Sequence, residues 1–344
     1  VQDNAQLCAD ATGDPAAGLE VSARLESFPL SALRALEAAP VTLDSRVDAD
    51  MHAALHAGQV KTADLQLRLG AGSVTYADPT LPADTRLGGG VLQATLDDTG
   101  LDARADLKLT GADYLDASLS LPGYQAGITP WEKQSLDLNV AGELKDMLFI
   151  KYLLEEVGRY EGSLTIDLHG GGTLAQPRLS GGANISDASL AIEHLGINLT
   201  NLEVQLRSRD DGLSVTGRCD SGDGSVTIKG DITVTDIAHW QADLHLQGTD
   251  FEVMHLPEGV IEVSPDIQAR LTPPNLRLTG EVHVPHARLR PRDITTRTGV
   301  SRDVIIVREE APEVEDERWR VTSDIRLSLG DDVSIDGFGL TGDI

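Results

Sequence analysis

The chain is poor in aromatic residues, although it is not poor in apolar ones. Aromatic side chains make up 3% of its 344 residues and hydrophobic residues 40%, so the apolar content is almost entirely Leu, Val, Ile and Ala. Aromatic rings supply much of the buried area per residue in compact domains. Their scarcity favours a long, narrow apolar surface over a thick three-dimensional core.

Cysteines and long apolar runs are scarce as well. Cys8 and Cys219 are the only thiols, and neither lies in a C-x-x-C motif or a Cys/His cluster, so we expect no zinc site, no redox pair and two separate thiols. No run approaches the roughly eighteen apolar residues of a membrane helix, and no signal peptide opens the sequence. We expect a fragment of a longer protein whose anchor or targeting segment lies elsewhere.

Positive charge is the third shortage. The sequence has 28 Lys and Arg against 55 Asp and Glu, which gives a net charge of −27. Such a field repels nucleic-acid phosphates and anionic lipid head groups. Nucleic acid is therefore not expected as a partner, and any lipid contact should depend on buried acyl surface. Alternatively, the charge only keeps an edge-rich β-protein soluble.

Alternation with a period of two residues dominates what is present. In Leu65–Leu69 and Leu101–Leu109 every second residue is Leu or Ala, and the residues between are polar or charged. This period places apolar side chains on one face of a strand. About twenty such segments are separated by Gly, Asn, Asp and Pro turns. The pattern predicts an all-β protein built as an elongated sheet.

Short helical signals interrupt the strands at Leu30–Leu36 and Lys145–Arg159, and a shorter segment, Phe251–Leu256, stands in the same position before its own strand. We expect these helices to cover a local sheet edge. Because they recur at roughly 100 to 120 residues, they predict one continuous array over 1–344 with weak repeat units. The predicted units are residues 28–143, 144–248 and 249–344.

Candidate chemistry is weak throughout the sequence. The histidine pairs His52/His56 and His283/His286 are four and three residues apart, and a strand spaces residues four apart by roughly 13 Å, which is too far to share a metal. The glycine triplet Gly88–Gly90 is expected at a turn or bulge because no helix follows it. No G-x-S-x-G elbow is present. We therefore expect no catalytic residues, no metal, no cofactor and no enzyme.

One stretch carries a resemblance. Residues 172–232 open with GTLAQPRLSGGANI, continue with DASL and LGINLTNL, and close with SGDGSVTIKGDI, while residues 331–344 read DDVSIDGFGLTGDI. Together these elements resemble repeats of the TamB family, the translocation and assembly module subunit within the AsmA-like lipid-transfer group. The resemblance is strongest between Gly172 and Ile344.

The resemblance implies a fold and a function. The fold is a curved β-sheet folded into an open hydrophobic trough, a solenoid-like "β-taco" with short helices. The implied location is the periplasm, in a protein anchored in the inner membrane. The implied function is the transfer of phospholipids between the two membranes, with phospholipid acyl chains and a TamA-like Omp85 outer-membrane barrel as partners, the latter through regions outside this fragment.

The best-matching stretch supplies the candidate groove. We predict that its apolar alternate residues line the lipid groove: Leu190, Ile192, Ile197, Leu199, Leu202, Val204, Leu206, Leu213, Val215, Val226 and Ile228. The alternative is that they close into a dry sandwich or solenoid core.

Two other functions stay open at this point. The first is a scaffold that assists outer-membrane barrel assembly and autotransporter secretion by strand pairing near Val333–Leu340. The second is an extracellular solenoid, either an adhesin or a polysaccharide enzyme.

Overall fold

A computed structural model describes residues 5–14, 17–32, 41–76, 85–109, 111–126, 130, 133–145, 157–210, 212–236, 239–290, 319–337 and 340–343. Almost all of these residues are in strands, which confirms the predicted all-β elongated sheet. Among them Leu30–Ala32 form a 3-10 turn. No helix in this part of the chain is long and apolar enough to cross a membrane.

The strands in chain order are β1 Gln6–Asp14, β2 Gly18–Pro29, β3 Val41–Asp44, β4 Arg46–His56, β5 Gln59–Leu69, β6 Gly72–Tyr76, β7 Thr85–Leu87, β8 Gly89–Asp97, β9 Gly100–Lys108, β10 Tyr114–Pro122, β11 Asp137–Leu144, β12 Val157–Thr173, β13 Gln176–Ile192, β14 Ile197–Arg209, β15 Gly212–Ser221, β16 Gly224–Val234, β17 Trp240–Thr249, β18 Phe251–Leu256, β19 Gly259–Thr272, β20 Asn275–Leu289, β21 Arg320–Gly337 and β22 Leu340–Asp343.

Nineteen of these strands form one sheet. Neighbours follow chain order and pair antiparallel, because tight turns join most of them; β20 and β21 are the parallel exception. Strands β17 and β18 both pair with β19, at different parts of its length. Strands β3, β6 and β7 form a second sheet that continues β4, β5 and β8 past short interruptions at Ser45, Gly70–Ala71 and Gly88.

A line of bends, which we call the crease, crosses the large sheet from β12 to β21. Asp187, Asn201 and Asp250 have positive φ values of 51°, 49° and 49°. The ladders shift register beside them, and again in β20 and β21. An extra residue in one strand of a pair bends that strand, so bulges in adjacent strands fold the whole sheet along one line.

The crease divides the sheet into two arms. The long arm holds the strand segments that lead to the connections β12–β13, β14–β15, β16–β17 and β19–β20. The short arm holds the segments on the other side of the crease: residues 157–161, 188–192, 197–200, 251–256, 259–263, 286–289 and 332–337.

The same order of strands occurs twice along the chain. Strands β12, β13 and β14 cross the crease, and the following hairpin β15–β16 stops at it with a turn at Gly222–Asp223. Earlier in the chain β4, β5 and β8 continue into the small sheet, and the following hairpin β9–β10 has no such continuation. The unit boundaries at 28–143, 144–248 and 249–344 remain a prediction.

The helix predictions fared worse than the strand predictions. Phe251–Leu256 is strand β18 rather than a helix, because Phe251, Met254 and Leu256 follow the strand ladder with one bulge. Lys145–Arg159 ends in strand, since β12 begins at Val157, and its residues 146–156 lie outside the described part, as do residues 33–36 of the first predicted helix.

Candidate functional site: a continuous apolar face

Directly paired residues share one face of a sheet, so the pairing register traces that face from strand to strand. One such row runs across sixteen strands from β2 to β21 and contains no charged residue. Its members, in order, are Phe28, Val47, Leu69, Gly90, Leu107, Leu115, Gly142, Ile166, Ala183, Leu206, Val215, Gly230, Leu244, Ala269, Leu278 and Ser323.

Rows on both sides of this one repeat the pattern. Ile228 pairs with Leu246, which pairs with Ile267, and Ile232 pairs with Ala242, which pairs with Leu271. At strand spacings of about 4.8 Å, a row across sixteen strands is about 70 Å long. The apolar face is therefore a strip several times longer than a single ligand pocket.

At several positions this strip contains a glycine in place of an apolar side chain. A Cβ added to Gly248 would lie 2.5 Å from Val226 Cγ1, and one added to Gly230 would lie 2.7 Å from Leu244 Cδ2. Large side chains from neighbouring strands thus lean over the glycine backbone. The apolar surface stays continuous at these positions although the residue itself has no side chain.

Burial of the apolar face is concentrated along the crease. Ala188 is 1% exposed, Ile197 4%, Ala287 5% and Val333 5%, and all four belong to the apolar rows just beyond the bend. Because the bend buries apolar-row side chains, its concave side is the apolar side. Val284 packs with Ala287 and Val333 in one buried cluster.

The long arm is covered much less. Leu202, Val204, Leu206, Leu213, Val226 and Ile228 are all only partly buried, and Val215 and Ala242 are exceptions at 8% and 3% exposed. The molecule is therefore a folded sheet with a packed bend and a half-exposed apolar wall.

Two hydrogen bonds to backbone carbonyls hold the short arm together where the hairpin β15–β16 stops. Ser221, 1% exposed, donates its hydroxyl hydrogen to Glu252 O at 2.7 Å. The His255 amide donates to Leu195 O at 2.8 Å, which joins β18 to the β13–β14 turn. We call these two hydrogen bonds the short-arm junction. Ser45 makes a similar hydrogen bond in the first half of the chain, where its hydroxyl donates to Gly70 O at 2.7 Å.

All eleven residues predicted to line the groove lie on the apolar face. Leu190, Ile192, Ile197 and Leu199 are on the short arm, and the other seven are on the long arm. The structure brings them together as neighbours in adjacent strands, with Leu190 opposite Leu199 and Leu206 opposite Val215. Whether lipid contacts them remains a prediction.

Sequence reasoning missed the residues that make the bend. Asp187, Asn201 and Asp250 look like ordinary polar members of the alternation, and Ala188 is too small to stand out. A signal did exist, because the apolar residues change from odd-numbered to even-numbered positions at the bulge. In β13 the odd positions Ala183 and Ile185 are followed by the even positions Ala188, Leu190 and Ile192. A change of parity within one strand indicates an extra residue.

The opposite face carries the charges. Arg24 and Arg68 flank Asp50 across three strands, and Arg270 donates to Asp243 at 2.5 Å. The hydrogen bond from Arg24 lowers the pKa of Asp50, and the one from Arg270 lowers the pKa of Asp243. These are exposed pairs, which stabilise a fold little. They keep the polar face solvated and fix which side of the sheet can bind apolar ligands.

The two thiols lie on opposite faces. Cys8 is exposed on the polar face of β1, opposite Arg24, whereas Cys219 is buried on the apolar face, opposite Val226. Burial raises the pKa of the Cys219 thiol to about 11. Both cysteines are free. Among the described residues no three His, Cys, Asp or Glu side chains are grouped so that they could hold a metal ion.

Comparison with known proteins identifies a family. The model of the TamB N-terminal domain matches residues 1–185, more than half of the chain, and that of the TamB C-terminal domain matches residues 213–344. The chain belongs to the TamB family. It is 26% identical over 221 residues to the translocation and assembly module subunit TamB of Haemophilus influenzae.

That match covers 61% of this chain and 17% of the relative, so the chain corresponds to about a sixth of the relative's length. No solved structure matches the chain significantly. Family membership assigns the chain to a protein type named for translocation and assembly, and that name does not describe the chemistry of the apolar face.

Proposed function

We propose that this chain is a segment of a periplasmic conduit that moves phospholipids between the inner and outer membranes along its apolar face. The observation that carries the proposal is the uncharged row from Phe28 to Ser323, which crosses sixteen strands. Its members are only partly buried, apart from the buried Gly142 and Val215 and the exposed Ser323. Membership of the TamB family supports an envelope role.

The energetics favour a continuous surface. Moving a sixteen-carbon acyl chain into water costs about 12 kcal/mol, at about 0.8 kcal/mol per methylene. A strip without charged positions offsets most of this cost at every point, so a chain can slide without rehydration between sites. No bond is broken in such a transfer, and the proposed role therefore requires neither a catalytic residue nor a cofactor.

The test is native mass spectrometry with lipid extraction on protein purified gently from bacterial periplasm. The variant is Val204→Asp, because Val204 is on the long arm and only partly buried. Its matched control is Thr216→Asp, which adds the same charge on the polar face of the neighbouring strand, opposite Gln205. An unpaired charge against an acyl chain costs a few kcal/mol, so bound phospholipid should fall at least tenfold in Val204→Asp alone.

Two results would count against the conduit. Wild-type protein free of lipid would remove its basis, and so would equal lipid loss in both variants. Unfolding of Val204→Asp but not of Thr216→Asp would favour the closed-core alternative, in which Val204 packs against protein.

A second candidate function is a scaffold for outer-membrane barrel assembly, acting together with a TamA-like Omp85 barrel. One observation favours it: among the described residues the first part of β21 pairs with β20 alone and exposes Val321 and Leu327, as a strand edge that can accept a client strand does. The edge lies at Arg320–Gly330 rather than at the predicted Val333–Leu340, because Val333 is 5% exposed and β22 pairs with Ser334–Gly337. Peptide capture without lipid binding would support this candidate over the conduit.

A further inference from the structure

A polar cleft of about 660 Å³ lies on the polar face of the long arm, across strands β16, β17, β19 and β20. A cleft of this volume has the size of a small-molecule site. Its polar lining comes from two adjacent rows of the pairing register, which are Lys229, His245, Gln268 and Thr279 in one row and Asp231, Asp243, Arg270 and Arg277 in the other. The cleft and the apolar strip therefore use opposite faces of the same strands.

Two arginines lie directly opposite each other in this cleft. Arg270 of β19 pairs with Arg277 of β20 in the sheet register. Like charges in such positions repel and destabilise a strand pair. Arg270 is partly neutralised, because it donates to Asp243 at 2.5 Å. Arg277 makes no hydrogen bond or ion pair with any described residue, although the sequence has about two acidic residues for each basic one.

The carboxylates that line the cleft already have partners. Asp243 accepts hydrogen bonds from Arg270 and from Gln241, the second at 2.6 Å. Asp231 forms an ion pair with Arg209, which comes from β14. Neither carboxylate is therefore available to neutralise a further cation.

The strands on either side of the cleft supply no counter-ion that binds Arg277. β15 continues the two polar rows with Ser214 and Thr216, and β21 continues them with Thr322 and Asp324. Asp324 does not line the cleft, and it forms no ion pair within the described part of the chain. The guanidinium group of Arg277 thus lines the cleft without a carboxylate bound to it.

The cleft is rich in hydrogen-bond donors that have no acceptor. Among the described residues, no side-chain hydrogen bond or ion pair is made by Lys229, Gln268, Arg277 or Thr279. The remaining polar group of the lining, His245, contacts Asp266 at 2.7 Å. Ammonium, amide, hydroxyl and guanidinium groups all donate, and a guanidinium can bind an oxyanion through two parallel hydrogen bonds. An oxyanion would supply both the acceptors and the negative charge that the cleft lacks.

We propose that the cleft binds a soluble phosphate monoester, with the phosphate group between Arg270 and Arg277. A phosphate monoester carries a charge of about −1.5 to −2 at neutral pH and three oxygens that accept hydrogen bonds. These oxygens match two guanidinium groups and the donors Lys229, Gln268 and Thr279 better than the two oxygens of a carboxylate do. The net charge of −27 repels anionic membrane surfaces, which favours a soluble ligand over a lipid head group.

The experiment is isothermal titration calorimetry of this chain with glycerol 3-phosphate at fixed ionic strength, with acetate as the comparison ligand. Because the arginines are exposed, binding should weaken as salt is added. Arg277→Gln should lower the affinity about tenfold, since it removes charge-assisted hydrogen bonds. Arg104→Gln is the matched control. Arg104 is exposed on the polar face of β9, has no partner among the described residues and does not line the cleft.

Charge reversal separates ligand binding from stability. Arg277→Glu should abolish binding of glycerol 3-phosphate. It should also raise Tm, because a glutamate opposite Arg270 replaces a repulsive pair with an attractive one. A lower Tm in this variant would show that the two arginines do not repel each other in the folded chain and would overturn the proposal.

Four further results would overturn it. The first is a wild-type chain that does not bind glycerol 3-phosphate, and the second is acetate binding of equal affinity. Equal loss of affinity in Arg277→Gln and Arg104→Gln would show general attraction to surface cations. Binding to phosphatidylglycerol vesicles that is lost in Arg277→Glu would identify a lipid head group, rather than a soluble compound, as the ligand.

Discussion

The crease and the long arm present the same apolar rows but differ in what covers them. Along the crease Ala188 and Ile197 are almost completely buried, whereas Val204 and Leu206, in the same ladder on the long arm, keep part of their surface exposed. Stability should therefore be concentrated at the bend, while the long arm remains available for binding. Two regions of one sheet face then have different roles without any change in residue chemistry.

Placing the same charge in both regions should give the largest difference in stability between them. Ala188→Asp should lower the free energy of unfolding by about 3 to 5 kcal/mol, because an unpaired carboxylate is buried at the bend. Ala183→Asp, five residues earlier on the same strand and partly buried on the long arm, should cost about 1 kcal/mol or less. Urea unfolding followed by circular dichroism measures both, and equal losses would mean that the long arm is packed as tightly as the crease.

Backbone space at the short-arm junction provides the next test. Gly196 and Gly58 have nearly the same φ, 69° and 73°, but a Cβ on Gly196 would lie 2.0 Å from His255 O and one on Gly58 would meet nothing within 4 Å. Gly58→Ala should therefore cost about 1 kcal/mol of backbone strain. Gly196→Ala should cost about 2 kcal/mol more, because the turn must move away from β18.

Thermal unfolding of the two glycine variants separates the destabilisation caused by the clash with His255 O from the backbone strain that both variants share. A similar drop in Tm for both would show that the β13–β14 turn adapts without breaking its hydrogen bond to β18.

Hydroxyl deletions should produce smaller losses. Ser221→Ala and Ser45→Ala each leave a backbone carbonyl without its buried donor, so each should cost about 1 to 2 kcal/mol. Ser214→Ala removes a surface bond of 3.2 Å to Arg207 O and should cost less than about 0.5 kcal/mol. Denaturant midpoints compare all three, and a Ser214 effect as large as the others would contradict the special role of the bend.

The smallest effect is expected on the polar face. Because Arg270 lowers the pKa of Asp243 below its usual value, this carboxylate adds stability above pH 4 and loses it as the pH falls through the lowered pKa. The pair is exposed, so the contribution should be a few tenths of a kcal/mol. Urea unfolding of wild type and Asp243→Asn at pH 6 and pH 2.5 measures it. A gap between the two proteins that widens at pH 2.5 would have the wrong sign.

Local alternation was enough to predict the class of the fold and the face on which the apolar side chains of each strand lie. Alternation in segments such as Leu101–Leu109 fixes which side chains share a face, because the side-chain period of a strand is two wherever it pairs. The same local rule groups the predicted groove residues within each strand segment, and the bulge at Asn201 then brings Leu199 to the same face as Leu202. It failed for Phe251–Leu256, a six-residue segment too short for the two periods to be told apart.

The position of the bend and the exposure of the apolar residues depend on pairing between distant strands. Gly162 lies at the register shift in β12, and from it to Asp187, Asn201 and Asp250 the successive intervals are 14 to 49 residues; the four form one line only after the ladders are in register. Exposure of Leu327 likewise depends on whether a strand lies beside β21, which its own residues do not specify. Burial is a property of neighbours, and in a sheet the neighbours come from other strands.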